Sequence, residues 1–271
     1  MRQRALKWAV VCLGVWSLGW ASLAGAQAPA WRELAPGLAF TLLHEDSPAR
    51  AGSEHVAVLK VDPRRFRFKV LTGRQNQDGR SAQDWRKDIG ALAVFNAGQY
   101  AEDQSYLGLL LTDGKLVGHL ATRLDGIFLA GPKLASLPPA RVLDLRYTTF
   151  DPAASPYLEG AQSLMLLDRY GQIRVRRSPK IAHRTAVAED SQGNILIFVT
   201  EGGHTLWEFA NFLANQSLGL RDVMCMDGGA ESQLSLKAGD FSYEQYGGPS
   251  NTPDLPWMPA SLPVAVAIFP K

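Results

Sequence analysis

The chain has 271 residues and a formal net charge of +2, and charged residues make up 20% of it. The first 26 residues hold three basic residues and no acidic one, so the remaining 245 carry a formal charge of −1. A nucleic-acid partner is not expected, because such a partner requires a basic stripe. The length fits one large domain.

The N-terminal segment 1–26 has the pattern of a secretory signal peptide. Basic residues precede the apolar run WAVVCLGVWSLGWASLA, and the small-residue sequence AGA ends it at Ala26. An uncleaved membrane anchor is the alternative, because the run is long. The small-residue site favours cleavage. We therefore expect a mature chain of 27–271 with no stable membrane anchor, in the periplasm or secreted.

Cys225 is the one cysteine outside the predicted signal peptide, so an internal disulfide is not expected. It lies in the apolar sequence VMCM, where a buried and inert thiol is the common outcome. No electropositive neighbour in the sequence supports a catalytic thiol.

Short strands and turns dominate the first half of the chain. The segments 55–61 and 65–71 alternate in polarity on either side of an Asp-Pro turn signal. The segment 81–91 predicts a short helix with Ser81 as its N-cap, followed by the buried strand LAVFN. A hairpin is predicted over 106–120, with its turn at Asp-Gly. Clusters of Gly, Pro and Ser predict loops over 131–139 and 151–156.

The second half has a clearer order of elements. Two strands flank the turn sequence 191–194, and Thr205 with Glu208 predicts a capped helix that ends near Gly219. An apolar strand then runs into Asp227. Many short strands with few helices indicate a mixed-sheet α/β or α+β domain.

Four clusters of polar and small residues follow strand-like segments. Glycine beside an acid lets the backbone approach a ligand and expose N–H groups as anion donors. Arginine can hold a phosphate through two hydrogen bonds, and a carboxylate can act as acid, base or nucleophile. Each cluster alone also fits a turn or a structural contact. The clusters are Asn96-Ala97-Gly98, His183-Arg184-Thr185, Glu201-Gly202-Gly203, and Asp227-Gly228-Gly229 with Glu231 and Ser232.

The order and spacing of these clusters resemble the phosphodiester glycosidase family. The likeness is strongest over 183–234, where an Arg-Thr pair, a hairpin, an acid-Gly pair, a helix opening with Thr-Leu and a strand ending in Asp-Gly-Gly follow one another. The sequences VFNAGQY and LPVAVAIFP also resemble family segments. Ala97, Ala230 and Glu231 depart from the family pattern, because members commonly have Gly, then Gly or Pro, then Ser at these places.

The resemblance implies a single α+β domain with a curved mixed β-sheet core and a few flanking helices. It also implies hydrolysis of a sugar-1-phosphodiester in a glycan or envelope polymer, without a cofactor or a metal. Asp227 is then expected to be base or nucleophile, Glu201 the supporting acid, and Arg184 the phosphate clamp. The expected substrate contacts are Asn96, Gly98, His183, Thr185, Gly202, Gly228, Gly229, Glu231 and Ser232, with Glu231 at the pocket rim.

Two other functions remain compatible with the residues. A noncatalytic envelope protein could bind a polysaccharide through the same polar pocket. A metal-dependent phosphodiesterase could gather a divalent cation with Asp227, Glu231 and Glu201, although no His-rich or EF-hand spacing supports it.

Overall fold

A computed structural model describes residues 29–45, 51–73, 79–251 and 258–271. The predicted signal peptide lies outside the described residues. Within these ranges two α-helices, α1 (Ala82–Ile89) and α2 (Leu206–Ala214), accompany sixteen strands. The strands are β1 (Arg32–Ala35), β2 (Leu38–His44), β3 (Ala51–Val61), β4 (Phe66–Thr72), β5 (Ala93–Asn96), β6 (Leu109–Thr112), β7 (Lys115–Gly118), β8 (Gly126–Pro132), β9 (Ala140–Asp144), β10 (Tyr157–Leu167), β11 (Thr185–Asp190), β12 (Ile195–Gly203), β13 (Leu220–Cys225), β14 (Gln233–Ala238), β15 (Phe241–Tyr246) and β16 (Val264–Pro270).

The strands form two sheets. The larger sheet has eleven strands in the order β1-β2-β3-β12-β11-β13-β10-β6-β7, with β8 paired to β10 and β9 to β8. The smaller sheet has the order β15-β14-β5-β16-β4. Every strand pairing among the described residues is antiparallel. The α+β class is thus confirmed, but two antiparallel sheets replace the expected mixed sheet. Six of the fourteen described pairs join strands that are consecutive in the chain, where a connection too short for a crossover requires an antiparallel pair.

The main hydrophobic core lies between the two sheets. Leu59, Phe128 and Ile197 of the larger sheet are fully buried against Phe95 and Val266 of the smaller one. Alternate residues of each strand point into this layer, as expected for two sheets packed face to face. The layer fixes the strand ends that carry the candidate site.

Each helix covers the outer face of one sheet. In α1, Trp85 packs on the smaller sheet, and in α2, Phe209 and Leu213 pack on the larger sheet. Both helices begin with the predicted capping boxes, Ser81 with Asp84 and Thr205 with Glu208. No helix in the described ranges is long and apolar enough to cross a bilayer.

The second helix is shorter than the sequence pattern predicts. It ends at Ala214 instead of near Gly219, and Asn215 is its C-cap. The Asn215 side chain donates to the carbonyl of Asn211, at 2.8 Å. It thereby satisfies one of the last carbonyls of the helix, which in a longer helix would accept from a main-chain N–H. The residues that follow lead directly into β13.

Three strand ends meet beside α2. The end of β13 at Cys225 pairs with Ala186 of β11, and Thr185 at the start of β11 donates to Asn96 at the end of β5, at 2.8 Å. Three loops, 97–100, 178–184 and 226–232, therefore surround one place at the edge of the core.

Candidate active site

A pocket of about 120 Å³ lies between these loops and the first residue of α2. Its charged lining residues are Lys180, Arg184 and Asp227, so two cations face one carboxylate. Such a pocket suits an anionic ligand held next to an acid or base. The remaining lining residues are Gln99, Ser178, Leu206, Cys225, Met226 and Gly228.

The carboxylate of Asp227 is fixed by two main-chain donors. The N–H of Gly228 donates to its Oδ1, at 2.9 Å, and the N–H of Tyr100 donates to its Oδ2, at 3.1 Å. Burial raises the pKa of Asp227, while these hydrogen bonds and the charges of Lys180 and Arg184 oppose that rise. A partly buried carboxylate with a raised pKa is a stronger base than an exposed one.

Gly98 allows the loop after β5 to pass directly over Asp227. A Cβ atom at this glycine would lie 2.6 Å from the Cβ of Asp227 and 2.8 Å from the ring of Tyr100. Its φ of +119° is also unfavourable for any other residue. Gly98 therefore shapes the site, because the lack of a side chain lets the loop backbone lie close against Asp227.

Arg184 is almost fully buried, and its guanidinium group is partly occupied. Its Nε donates to the carbonyl of His204, at 2.9 Å, and its Nη2 donates to the carbonyl of Lys180, at 2.8 Å. Within the described chain, Nη1 has no acceptor, and it lies beside Gly228 in the pocket wall. Burial lowers the pKa of Arg184, but an arginine remains charged at any ordinary pH.

Lys180 and Glu231 add charge around Asp227. Glu231 lies on a short 3-10 helix (Gly229–Glu231) that follows the Asp-Gly-Gly sequence. Burial raises the pKa of Glu231, the negative charge of Asp227 raises it further, and the charge of Lys180 lowers it. Glu231 is not a lining residue of the pocket, but it lies within the electrostatic range of Asp227.

Asn96, Thr185 and Ser232 form a buried network behind the pocket, which disagrees with their expected contact with substrate. The amide nitrogen of Asn96 donates to the carbonyl of Asp227, at 2.9 Å, and its Oδ1 accepts from Thr185 and from the N–H of Gln233. Thr185 also shares a 2.8 Å hydrogen bond with Ser232. All three are at most 1% exposed and none lines the pocket, and Asn96 bonds directly to the Asp227 loop.

The glycines of the Asp-Gly-Gly sequence do not supply free anion donors, contrary to expectation. The N–H of Gly228 donates to Asp227, and the N–H of Gly229 donates to the carbonyl of His183, at 3.0 Å. Gly228 still matters for space, because a Cβ there would lie 2.6 Å from the carbonyl oxygen of His183. The glycines therefore shape the loop, and the positively charged donors that line the pocket are the side chains of Arg184 and Lys180.

Glu201 is not brought together with Asp227. Its carboxylate accepts from Tyr243, at 2.6 Å, and from Ser53, at 3.1 Å. Tyr243 belongs to the smaller sheet, so Glu201 points into the space between the sheets. The pocket instead lies on the outer face, beside α2. Successive residues of a strand point to opposite faces, so Glu201 faces away from the side to which Thr200 points. The position of Glu201 therefore gives no support to its expected role as the supporting acid.

His183 and Gly202 also lie outside the pocket wall. The Nδ1 of His183 is 3.2 Å from the carbonyl of Thr200, and its own carbonyl accepts from Gly229. The carbonyl of Gly202 accepts from the hydroxyl of Thr200, at 2.7 Å. Both expected substrate contacts therefore support the backbone around the site.

Sequence analysis missed several pocket residues. Lys180 lies in the loop sequence SPKIAHR, three residues before His183, and its proximity to an Arg-Thr pair was the available signal. Gln99 donates to the carbonyl of Met226, at 3.2 Å, and so joins the loops after β5 and β13. The amide side chain of Gln99 had no pattern that distinguished it from an ordinary loop residue.

The positions of Cys225 and of the acidic side chains bear on the thiol and metal alternatives. Cys225 is buried, and burial raises the pKa of its thiol to about 12, which keeps it protonated. Among the described residues, no three acidic, histidine or cysteine side chains lie close enough together to hold a metal. The set Asp227, Glu231 and Glu201 is not assembled around one point.

Known structures share this fold. A zebrafish structure, the N-acetylglucosamine-1-phosphodiester alpha-N-acetylglucosaminidase catalytic domain auto-inhibited by its pro-peptide, has 18% identity and a TM-score of 0.66, and the match covers 90% of this chain and 87% of that one. A hypothetical protein from Synechocystis has 15% identity and a TM-score of 0.56, with 91% and 65% covered. A candidate exported protein from Burkholderia pseudomallei K96243 has 13% identity and a TM-score of 0.54, with 81% and 74% covered.

The sequence comparisons identify the family. No curated protein sequence matches the chain. A family model described as phosphodiester glycosidase matches residues 90–269, which is most of the chain and includes every lining residue of the pocket. This protein belongs to the phosphodiester glycosidase family.

Proposed function

We propose that this protein is an exported hydrolase that cleaves the bond between a sugar and a phosphodiester in a glycan or envelope polymer. The observation that supports this most strongly is the pocket in which Asp227 lies with Arg184 and Lys180. A phosphodiester carries one negative charge next to the anomeric carbon. A pocket that joins cationic donors to a fixed carboxylate matches both parts of such a substrate.

The phosphate is held by the two cationic side chains. Nη1 of Arg184 faces the pocket, and its hydrogen bonds to a phosphate oxygen would be charge-assisted and short. The ammonium group of Lys180 adds a second, more mobile donor. Because Nε and Nη2 of Arg184 already donate to main-chain carbonyls, the guanidinium is held rigidly before substrate binds.

Asp227 acts at the anomeric carbon as base or nucleophile. The bond between the anomeric carbon and the bridging oxygen breaks, and the phosphate leaves as a monoester that keeps that oxygen. Water supplies the hydroxyl of the released sugar, and its proton is taken up by a carboxylate or by solvent. The transition state resembles an oxocarbenium ion, which a carboxylate stabilises. Burial raises the pKa of Asp227, and this makes its carboxylate a stronger proton acceptor than an exposed one.

Glu231 is the second carboxylate of this proposal, in place of Glu201. Burial raises the pKa of Glu231, and the negative charge of Asp227 raises it further, which favours Glu231 as the proton donor of the pair. Because a phosphate is a good leaving group, the acid contributes less here than in ordinary glycoside hydrolysis.

The buried network behind the pocket holds Asp227 in place. Asn96 binds the carbonyl of Asp227, and Gly98 lets the N–H of Tyr100 reach its carboxylate. A catalytic carboxylate must be held within about 0.5 Å of its productive position, which requires supporting contacts of this kind.

Export is part of the proposal and has a separate test. The N-terminal pattern supports it, and a structural neighbour is described as a candidate exported protein. Mass spectrometry of the protein isolated from its host should give Gln27 as the first residue. A membrane-bound product that retains Met1 would contradict cleavage.

The activity test is a screen of the purified mature chain on nucleotide sugars and other glycosyl phosphodiesters. Asp227→Asn should reduce kcat by roughly 100-fold or more, the scale for loss of a positioned acid or base. Glu201→Gln is the matched control, because it changes a carboxylate on the other face of the same sheet and should leave kcat within about threefold. Saturable sugar binding without turnover would favour the noncatalytic polysaccharide-binding protein. Loss of turnover with a chelator, restored by a divalent cation, would favour the metal-dependent phosphodiesterase.

A further inference from the structure

A second cavity lies beside the candidate active site on the outer face of the larger sheet. We call it the apolar groove, and it measures about 510 Å³. Its apolar lining residues are Leu107, Leu120, Ala121, Leu124 and Leu164. The polar residues His119 and Arg123 also line the apolar groove, but most of its surface is hydrocarbon.

The apolar groove and the pocket are neighbours, because two pairs of their lining residues are in contact. Leu164 of β10 and Cys225 of β13 are paired across neighbouring strands, and Cys225 lines the pocket. Gln99 also lines the pocket, and its carbonyl accepts from the N–H of Leu107, at 2.9 Å. Paired residues on antiparallel strands point to the same face, so Leu164 of the apolar groove lies beside Cys225 of the pocket wall.

Two of the four leucines that line the apolar groove are exposed. Leu107 is 46% exposed and Leu120 is 36% exposed. The β6–β7 hairpin, which precedes the groove segment in the chain, also exposes Leu116 and Val117, by 46% and 45%, on opposite faces of β7. Scattered exposed leucines need no explanation, but a contiguous apolar surface beside a site indicates a ligand or a partner.

We propose that the apolar groove binds the hydrocarbon chain of a lipid alcohol esterified to the substrate's phosphate. The preferred substrates would then be glycosyl phospholipids, in which a sugar and an alkyl or prenyl chain share one phosphate. The inference rests on the proposed function, because the phosphate bound at Arg184 fixes where the chain begins. The sugar would face the polar side of the pocket, since sugar hydroxyls need hydrogen-bond partners that a wall of leucines does not offer.

Binding of simple phosphate monoesters tests the apolar groove without any turnover. Titration calorimetry would compare ethyl phosphate with n-octyl phosphate, below the concentration at which micelles form. Each fully buried methylene strengthens binding roughly fourfold. Because the groove is open to solvent, we expect octyl phosphate to bind on the order of 10- to 100-fold more tightly than ethyl phosphate.

The matched variants are Leu120→Gln and Leu134→Gln. Leu134 is 59% exposed and lies outside the apolar groove, so its variant controls for surface polarity and nonspecific adhesion. We expect Leu120→Gln to reduce the ratio of octyl to ethyl affinity by severalfold, and Leu134→Gln to keep the parent ratio. Equal affinity for the two phosphates, or the same ratio in both variants, would overturn the proposal.

Turnover separates this inference from the proposed function. Ethyl and octyl esters of one sugar 1-phosphate would be compared by kcat/KM. Equal hydrolysis of both would contradict the lipid subsite and leave the hydrolase intact. Preferential binding of octyl phosphate without hydrolysis of either ester would support the groove and contradict the proposed reaction. If the groove binds a protein and shows no preference for octyl phosphate, the lipid proposal is wrong and the groove is a protein-binding surface.

Discussion

Replacement of Gly98 by alanine tests how tightly the site is built around Asp227. The new Cβ would lie 2.6 Å from the Cβ of Asp227, whereas an ordinary contact begins at 3.4 Å. One of the two carbons must therefore move by about 0.8 Å. Alanine at a φ of +119° is strained as well.

Gly193→Ala is the matched control for the backbone strain. Gly193 also has a positive φ, of +78°, but an added Cβ would meet no atom within 4 Å. A left-handed conformation costs an ordinary residue roughly 1–2 kcal/mol. The clash at Gly98 adds about 1–3 kcal/mol of overpacking, so Gly98→Ala should cost about 2–5 kcal/mol in all.

Thermal unfolding and kinetics then measure the two consequences. In a domain of this size each kcal/mol lowers Tm by about 2–4 °C, so Gly98→Ala should melt about 2–12 °C below Gly193→Ala. A displacement of Asp227 by nearly 1 Å should reduce kcat about 100-fold, whereas Gly193→Ala should keep the parent value. If Gly98→Ala matches Gly193→Ala in both Tm and kcat, the close packing on Asp227 has no functional consequence and the reasoning fails.

Three further predictions concern charged residues in and beside the pocket. Arg184→Lys keeps the charge but loses the donation to the carbonyl of His204, so we expect weaker phosphate binding and a stability loss of about 1–3 kcal/mol, measured by inhibitor titration and denaturant unfolding. Glu231→Gln should reduce kcat roughly 10-fold or more, and Glu201→Gln should not; equal effects of the two would contradict the assignment of the acid. The pH–rate profile should fall as acid protonates Asp227, and this fall should begin above the ordinary aspartate pKa of 3.8 because burial raises its pKa; a midpoint at or below 3.8 would contradict a buried base.

Local sequence signals predicted the elements that depend on local chemistry. The capping residues Ser81 and Thr205 predicted both helix starts, because a cap needs only a side chain and the next turn. The Asp-Gly turn predicted the β6–β7 hairpin, where both Asp113 and Gly114 have a positive φ. The division into two sheets has no comparable local signal, since it depends on which distant strands pair.

The candidate site likewise has residues that local sequence signals predict and residues whose position depends on long-range pairing. Asp227 and Arg184 could be selected from the sequence because each ends or begins a buried strand beside small residues. The position of Glu201 could not be predicted in this way. The face to which it points depends on the register of β12 and on its hydrogen bond with Tyr243 in the other sheet. Asn96 and Thr185 have the polarity of ligand-binding residues, but long-range pairing buries them against each other.

The central claim is that water attacks the sugar and not the phosphorus. Hydrolysis of a glycosyl phosphodiester in ¹⁸O-enriched water, followed by mass spectrometry of both products, tests it most directly. Attack at the anomeric carbon near Asp227 predicts ¹⁸O in the released sugar and an unlabelled phosphate monoester. Label in the phosphate monoester, with an unlabelled sugar product, would mean that the phosphorus–oxygen bond breaks and would contradict a glycosidase mechanism.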